Sequence, residues 1–420
     1  MPDTDPISEQ TTAGGGEYDA VIVGGSLAGC ATAIQLGRAG ARVALIEKSP
    51  DPRSFKRMCS HFIQASGVPS VERLGLLEPM EAAGAVRPRF RAWTQWGWVE
   101  PPPEAPGGIN LRREILDPMV REMAAETPGV ELMLGWAVES LIGEEGATGG
   151  IVARDATGER RELRAPLTVG ADGRDSSVAE LSGVPVKTYP HGRIVYAGYF
   201  EGGAPANAPD ATIWFMDPQW GAAFPTDDGL TVYAAMPTKE RLPDFKRDPE
   251  AALVAFLSDM PEPPPIRDGK LVGPVLGKID MTNRKRQVTA PGLALVGDAA
   301  LATDPLFGVG CGWAFESAEW LAESVKPSLA GEEALERGLR RYRQRHGRRL
   351  GGHTFFIHDY SIGRKFNPAE RMIFSAAARD ERTARVFDAY ATRRSRPQEA
   401  IPRLLPRAIA VNARHALAHR

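Results

Sequence analysis

The chain is poor in cysteine. Cys30, Cys59 and Cys311 are the only three, too few and too scattered for a disulfide framework or a zinc site. No metal centre is expected. Long apolar runs are also missing. Nothing approaches the ~20 residues that cross a bilayer, so no transmembrane segment is expected. Met1–Gly16 has three early acids and none of the basic-then-apolar pattern of a signal peptide. It reads as a disordered leader, and the protein as cytoplasmic. Internal repeats and low-complexity domains are absent.

What remains is ordinary for a globular protein. Hydrophobic residues make up 43% and charged residues 25% of 420, too apolar for disorder. At about 100–200 residues per domain the chain has room for two or three structural units. Net charge is −2, unevenly spread: residues 331–420 carry 20 Lys/Arg against 9 Asp/Glu. Such a segment reads first as solvated helix faces, and secondly as a contact for an acidic partner or a membrane surface. A nucleic-acid ligand is not expected.

Tyr18–Val23 is a short β-branched run, a buried strand. Gly24–Gly29 is a glycine turn, Cys30–Ala39 a helix of small residues ended by Gly40, and Ala41–Ile46 a second strand. That is one βαβ unit in about 30 residues, which calls for a parallel sheet with a right-handed crossover. The turn Gly24-Gly25-Ser26-Leu27-Ala28-Gly29 is G-x-G-x-x-G with Ser26 at the second glycine. The first glycine makes the tight turn. The second position lets backbone approach a pyrophosphate. The third lets helix and strand pack closely. Free N–H groups and the helix dipole then hold a diphosphate. Glu47 and Lys48 close the second strand, and a carboxylate there accepts the hydroxyls of an adenosine ribose.

Farther on, Leu111–Ala125 reads as a helix. Val130–Leu134, Gly150–Asp155, Glu162–Arg164 and Leu167–Gly170 read as strands. Arg193–Phe200, Ala211–Met216 and Leu230–Met236 alternate, among many prolines, as an antiparallel lobe. Leu293–Val296 is again a buried strand. From Gly312 the chain looks helical to about Arg349 and mostly helical thereafter. Two motifs follow strand ends: Asp172-Gly173-Arg174, and Gly297-Asp298 with Pro305-Leu306-Phe307-Gly308-Val309-Gly310 behind it.

With the glycine turn, these motifs in this order resemble the FAD-dependent monooxygenases of the p-hydroxybenzoate hydroxylase fold. Geranylgeranyl reductases and flavin-dependent halogenases are cousins. The resemblance covers about residues 17–345. It implies an α/β fold: a Rossmann-type FAD-binding domain (17–75, 105–186 and 281–345), an antiparallel-sheet substrate lobe (76–104 and 187–280) and a C-terminal helical basic segment (346–420). The cofactor it implies is non-covalent FAD, held by Gly24 to Gly29, Glu47, Lys48 and Arg57. Arg113, at the head of R-x-x-L-D, would pair with the diphosphate or ribose, with Arg112 as the alternative. Val138 would meet adenine through its backbone. Asp172 would touch the pyrophosphate region indirectly, and Asp298 would bond the ribityl chain. Pro305, Gly308, Val309 and Gly310 would pass their backbone along the ring edge.

A second G-x-G-x-x-G is absent, so NAD(P)H would act as a transient reductant, or a separate flavin reductase would supply electrons. A Cys-x-x-Cys pair is absent too, which excludes the thiol–disulfide flavoenzymes. The resemblance implies an EC 1.14-type monooxygenase that places one O2-derived oxygen from a flavin C4a-hydroperoxide into a bulky aromatic or polyene molecule of specialised metabolism. Catalytic side chains are unassigned, because the flavin carries the chemistry. Two cousins leave echoes. Trp96-Gly97-Trp98-Val99-Glu100-Pro101 echoes the W-x-W-x-I-P of tryptophan halogenases, but has Glu100 for Ile and lies before the Asp-Gly motif. Lys56-Arg57-Met58-Cys59 echoes the K-x-C-G of prenyl reductases, with Ser60 for glycine. A non-enzymatic flavin-binding protein is the remaining alternative. Trp93, Trp96 and Trp98, read as one strand face, together with Phe215, Trp220, Phe224 and His61, are the candidate substrate-pocket residues. Cys30 and Cys311 read as small packing residues.

Overall fold

The computed structural model describes residues 18–144 and 146–418. The leader expected at Met1–Gly16 lies outside them. At the centre is a six-stranded sheet in the order Thr289–Ala290, Leu293–Leu295, Leu167–Gly170, Ala20–Val23, Val43–Glu47, Val130–Leu134. All its neighbours are parallel except the first pair. Ala20–Val23 and Leu167–Gly170 are buried throughout, as strands covered on both faces must be.

The helix Leu27–Arg38 crosses from the first strand to its neighbour. Its small residues let it lie close to the sheet, and two glycines set that closeness. Gly24 has φ +112°, and a Cβ there would stand 2.5 Å from the carbonyl oxygen of Ala171. A Cβ on Gly29 would stand 1.8 Å from the carbonyl oxygen of Gly24. The helix begins at Leu27, three residues earlier than the sequence pattern suggests, so the glycine turn itself supplies its first turn.

A second sheet has seven strands, in the order Lys270–Lys278, Val195–Glu201, Leu230–Met236, Trp220–Pro225, Ala211–Phe215, Phe90–Thr94, Gly97–Val99. One face carries Trp214 and Tyr233 and packs on the helix Pro249–Ser258. The other carries Phe215, Trp220 and Phe224. That second face meets Phe62 and Leu306 from the glycine-turn half and Phe366, Phe374 and Phe387 from the C-terminal helices. Phe374 stacks on Phe366 at 4.6 Å between ring centres and lies 5.3 Å from Phe215. Each such ring removed from water contributes roughly 1.5–3 kcal/mol.

The helical C-terminus is built of Gly310–Leu329, Leu335–Ser361, Pro368–Ala377, Glu381–Ala391 and Pro397–Ala418. The long helix expected from Gly312 therefore breaks after Leu329. Asn367 and Glu370 close a capping box, with Pro368 at the first helical position. Asp380 caps the next helix. Arg364, Arg385, Arg394, Arg396 and Arg407 are each ion-paired, so part of the basic excess is neutralised within the fold. Among the described residues no helix is long and apolar enough to cross a membrane.

Candidate active site

The glycine turn sits between two strand ends. The N–H of Gly24 donates to the carbonyl of Ile46 at 2.8 Å, and that of Gly25 to Oε2 of Glu47 at 2.8 Å. Oε1 of Glu47 accepts from the N–H of Ser49 at 2.9 Å. The carboxylate is thus fixed over the turn with lone pairs to spare. Lys48 beside it is exposed. Val138 is the second residue of the strand Ala137–Glu144, two residues after Trp136, whose N–H bonds the carbonyl of Glu47 at 3.1 Å. At the helix start Ser26 makes no side-chain cap, and no acid lies in the first turn. The leading N–H groups of an α-helix have no intrahelical acceptor, so this end remains free for an anion.

Arg113 lies under the turn and is only 3% exposed. It grips Asp117 with two bonds of 2.7 and 3.0 Å and donates to Oγ of Ser26 at 2.8 Å. Burial disfavours its charge, but Asp117 more than offsets this and raises its pKa. Arg121, one turn beyond Asp117, donates to the carbonyl of Gly25 at 2.9 Å and to that of Ser54 at 3.0 Å. Arg113, Asp117 and Arg121 are spaced by four along one helix, which is the signal that would have found Arg121. The alternative, Arg112, turns away to Asp227 at 2.6 Å.

Asp298 stands where the strand Leu293–Leu295 ends. Nζ of Lys56 reaches it at 3.2 Å. Burial raises the carboxyl pKa, but Lys56 and then Arg174 outweigh burial and hold it below the usual carboxylate range. Arg57, expected near the cofactor, is exposed and makes no such contact among the described residues; Lys56, also exposed along its side chain, is the cation whose ammonium reaches Asp298. Asp172 acts locally: it accepts from Oγ of Ser176 at 2.5 Å and from the N–H of Val178 at 3.1 Å. Arg174 links this motif to the Asp298 loop by donating to the carbonyl of Thr303 at 3.0 Å.

The loop Pro305–Gly310 is pinned by Asp304. Its carboxylate is fully buried with Arg193 at 2.9 Å and His191 at 3.0 Å, and one oxygen caps the N–H of Leu306 at 2.8 Å. Burial pushes its pKa up, but Arg193 and His191 prevail and hold it far below the usual range. Gln64 donates to the carbonyl of Phe307. Sequence reasoning missed Asp304 and Arg193, which are 111 residues apart.

Whether FAD suits these residues can be tested on Gly310, the first residue of the helix Gly310–Leu329. A Cβ there would meet only Oδ1 of Asp298, at 3.8 Å, which is ordinary contact, and its φ does not require glycine. Among the described residues no neighbour forces that glycine; it leaves room for a group lying between the loop and Asp298. Together with the free helix end at Ser26 and the fixed Glu47, this suits a dinucleotide whose flavin reaches the loop.

Three groups flank that space. His61, with φ +62°, is fully buried. Its Nδ1 accepts the N–H of Arg113 at 2.9 Å. Burial lowers its pKa, so the neutral ring carries its proton on Nε2, 2.5 Å from the hydroxyl of Tyr199. Tyr199 is then free to donate its own proton elsewhere. Cys59 and Cys311, 252 residues apart in sequence, bring their sulfurs to 3.6 Å. The hydrogen bond from Cys311, with His61, Arg113 and Lys56 nearby, lowers the Cys59 pKa, while Cys311 is raised. Cys311 packs in the core, as expected, and also meets Cys59.

The aromatic candidates do not form one stripe. Trp93 and Trp98 are cross-strand partners, and Trp96 lies in the turn between their strands. Trp98 meets Trp214 edge-on at 5.9 Å, at the sheet's outer edge. Phe215, Trp220 and Phe224 lie on the other face, toward Leu306. The indole N–H of Trp220 and the hydroxyl of Tyr360 are buried without a partner among the described residues.

The family model described as "FAD binding domain" matches residues 17–244. The chain is 24% identical to digeranylgeranylglycerophospholipid reductase 1 of Methanococcoides burtonii over 78% of this chain and 79% of that one. It is 27% identical to kynurenine 3-monooxygenase of Salinispora tropica over 73% of this chain and 72% of that one. Among solved structures, a triple mutant of the flavin-dependent brominase Bmp2 superposes with a TM-score of 0.73 at 19% identity, covering 96% of this chain and 100% of that one. At that identity the likeness is one of fold.

Proposed function

The chain belongs to the FAD binding domain family, and from that premise we propose that it is a NAD(P)H-driven monooxygenase acting on a bulky aromatic or polyene small molecule. FAD, when bound, supplies two-electron redox chemistry and oxygen activation. The protein's part is to position and to exclude water. The first-turn N–H groups at Ser26 to Gly29 and Arg113, held in place by Asp117, would bind the diphosphate. Glu47 would take the ribose hydroxyls, and Asp298 the ribityl chain. The backbone of Pro305–Gly310 would run along the ring, with the helix Gly310–Leu329 directing its positive end at it.

One observation carries the reading: Gly310 is a glycine that the protein's own packing does not require, beside Asp298. The substrate would lie beside that loop, toward the sheet whose face carries Phe215, Trp220 and Phe224, rings that are themselves packed under Phe62, Leu306 and Phe374. This region is apolar, with polar handles from Tyr199 and from the indole of Trp220, which has no partner among the described residues. It suits a large apolar molecule. A prenyl-chain reductase is the second reading, favoured by the pairing of Cys59 with Cys311 at the same space. The test is direct. The purified protein should be yellow, with bands near ~370 and ~450 nm, and acid precipitation should leave all flavin in the supernatant. Oxidation of NADH or NADPH should then rise with bulky phenols or polyenes. A colourless protein that takes up no FAD would refute the proposal.

A further inference from the structure

A cleft of about 620 Å³ opens beside a face of the helix Gly310–Leu329 that the flavin account does not use. Trp313, Glu316 and Trp320 line it, at the i, i+3, i+7 spacing of one helix face. Ser317, on another face, serves the cofactor side by accepting the N–H of Gly297 at 2.9 Å. Arg349 and His353 of the next helix and Arg393 of the Glu381–Ala391 to Pro397–Ala418 connection complete the wall. None of the residues assigned to the flavin lies in it.

The groups here lack partners of a particular kind. Nε and Nη2 of Arg393, Oε2 of Glu316 and Nδ1 of His353 are buried with no hydrogen bond among the described residues. Buried polar atoms in native folds are nearly always satisfied, so four orphan atoms on three residues around one cleft ask for a ligand. The Arg393 backbone is also held at φ +63°, a costly conformation that persists where surrounding structure imposes it. Burial raises the Glu316 carboxyl to about 8, so at neutral pH it is a donor. Burial likewise keeps His353 neutral and lowers Arg393 to about 10. The cleft's other cations divide into two sorts. Arg87, Arg394 and Arg396 are paired to Glu81, Asp388 and Glu399; Arg348 and Arg349 are in no ion pair among the described residues. The cleft is therefore rich in donors, positive in balance, and walled on one side by indole rings.

We infer that this cleft binds an organic oxyanion carried on a planar ring, with Arg349 and Arg393 holding the carboxylate or phosphate oxygens and Trp313 and Trp320 the ring. Two sources share that chemistry: a free aromatic carboxylate and a phosphorylated nucleotide. Arg393 also stands over the ring of Phe307 at 4.9 Å, so a ligand here touches a residue of the flavin loop at one remove. The inference stands apart from the monooxygenase reading, because binding is measured without turnover.

The experiment titrates the FAD-loaded protein with benzoate, adenosine 2′,5′-bisphosphate and inorganic phosphate, at ionic strength matched with chloride, by calorimetry and thermal unfolding. Saturable binding is expected, with an upward shift in Tm. Tighter binding of benzoate identifies an aromatic carboxylate as the class, and tighter binding of the bisphosphate a nucleotide. Arg393→Met should weaken the preferred probe roughly 10- to 150-fold, while its Tm without ligand stays near level, the cation without a counter-ion being removed along with its Nη1 bond to the Tyr390 carbonyl at 3.2 Å. Arg349 is exposed, so Arg349→Met keeps the fold and should weaken the same probe. Absence of saturable binding for all three probes would overturn the inference, as would wild-type affinity in Arg349→Met and Arg393→Met.

Discussion

Replacing Gly310 by alanine separates what the fold needs from what the cofactor needs. The new methyl group would find its nearest protein atom 3.8 Å away, at Oδ1 of Asp298, so the apoprotein should accept it without strain. Alanine is favoured over glycine in a helix by roughly 0.5–1 kcal/mol, and at the first helical position the gain is at most that. The flavin-free variant should therefore unfold at the wild-type temperature or slightly above. With FAD the sign reverses. A methylene forced into a filled space costs typically 1–3 kcal/mol, a roughly 5- to 150-fold rise in Kd. The assay is a titration of apoprotein with FAD, followed by flavin fluorescence, beside thermal unfolding of the same apoprotein. Gly29→Ala is the contrast: its Cβ would stand 1.8 Å from a carbonyl oxygen, so it should lose stability as well as flavin. An unchanged Kd in Gly310→Ala would refute the placement of the ring. So would a clear loss of apoprotein stability, which would show that the glycine serves the fold.

Two further outcomes follow from the same geometry. Asp298→Ala removes a charge-assisted hydrogen bond to the cofactor worth roughly 1.5–3 kcal/mol; FAD titration should show the Kd rising about 10- to 150-fold, and an unaltered Kd would exclude the assigned contact. Asp304→Asn leaves Arg193 buried without its counter-charge and should lower stability by about 3–5 kcal/mol at pH 7. Because the folded pKa of Asp304 is depressed, its contribution is complete above the unfolded value near 4 and is lost as pH falls below it. Urea unfolding should thus show the gap between wild type and variant narrowing from pH 5 to pH 3; a constant gap would mean that the ion pair is not its source.

The parts of the site legible in sequence are those whose geometry is local. Gly29 is fixed by the carbonyl of Gly24 within one βαβ unit, and the acid after the second strand follows from the same unit; Gly24 is in addition pressed by Ala171 from the neighbouring strand end. The Gly-Asp and Pro305–Gly310 elements follow a strand end. Contacts between distant segments were not legible. Nothing in the spacing of Cys59 and Cys311, or of Arg193 and Asp304, marks them as neighbours. The burial of Phe215 beneath Phe374 depends on how the C-terminal helices fold back. The tryptophans misled because Trp93 and Trp96 are three residues apart, so a continuous strand would set Trp93 opposite Trp96 and Trp98; the tight turn at Trp96 instead makes Trp93 and Trp98 cross-strand partners. Arg57 and Lys56 illustrate a finer limit: adjacent cations alternate in direction, and sequence does not say which one faces Asp298.

The central claim is that an oxygen atom from O2 enters the product. Turnover of a phenol or polyene that stimulates NADH or NADPH oxidation, carried out under 18O2 with mass analysis, tests it most directly. One 18O atom per product molecule is the expected result. Unlabelled product, formed equally well without oxygen and two hydrogens heavier than the substrate, would contradict the claim and favour the reductase.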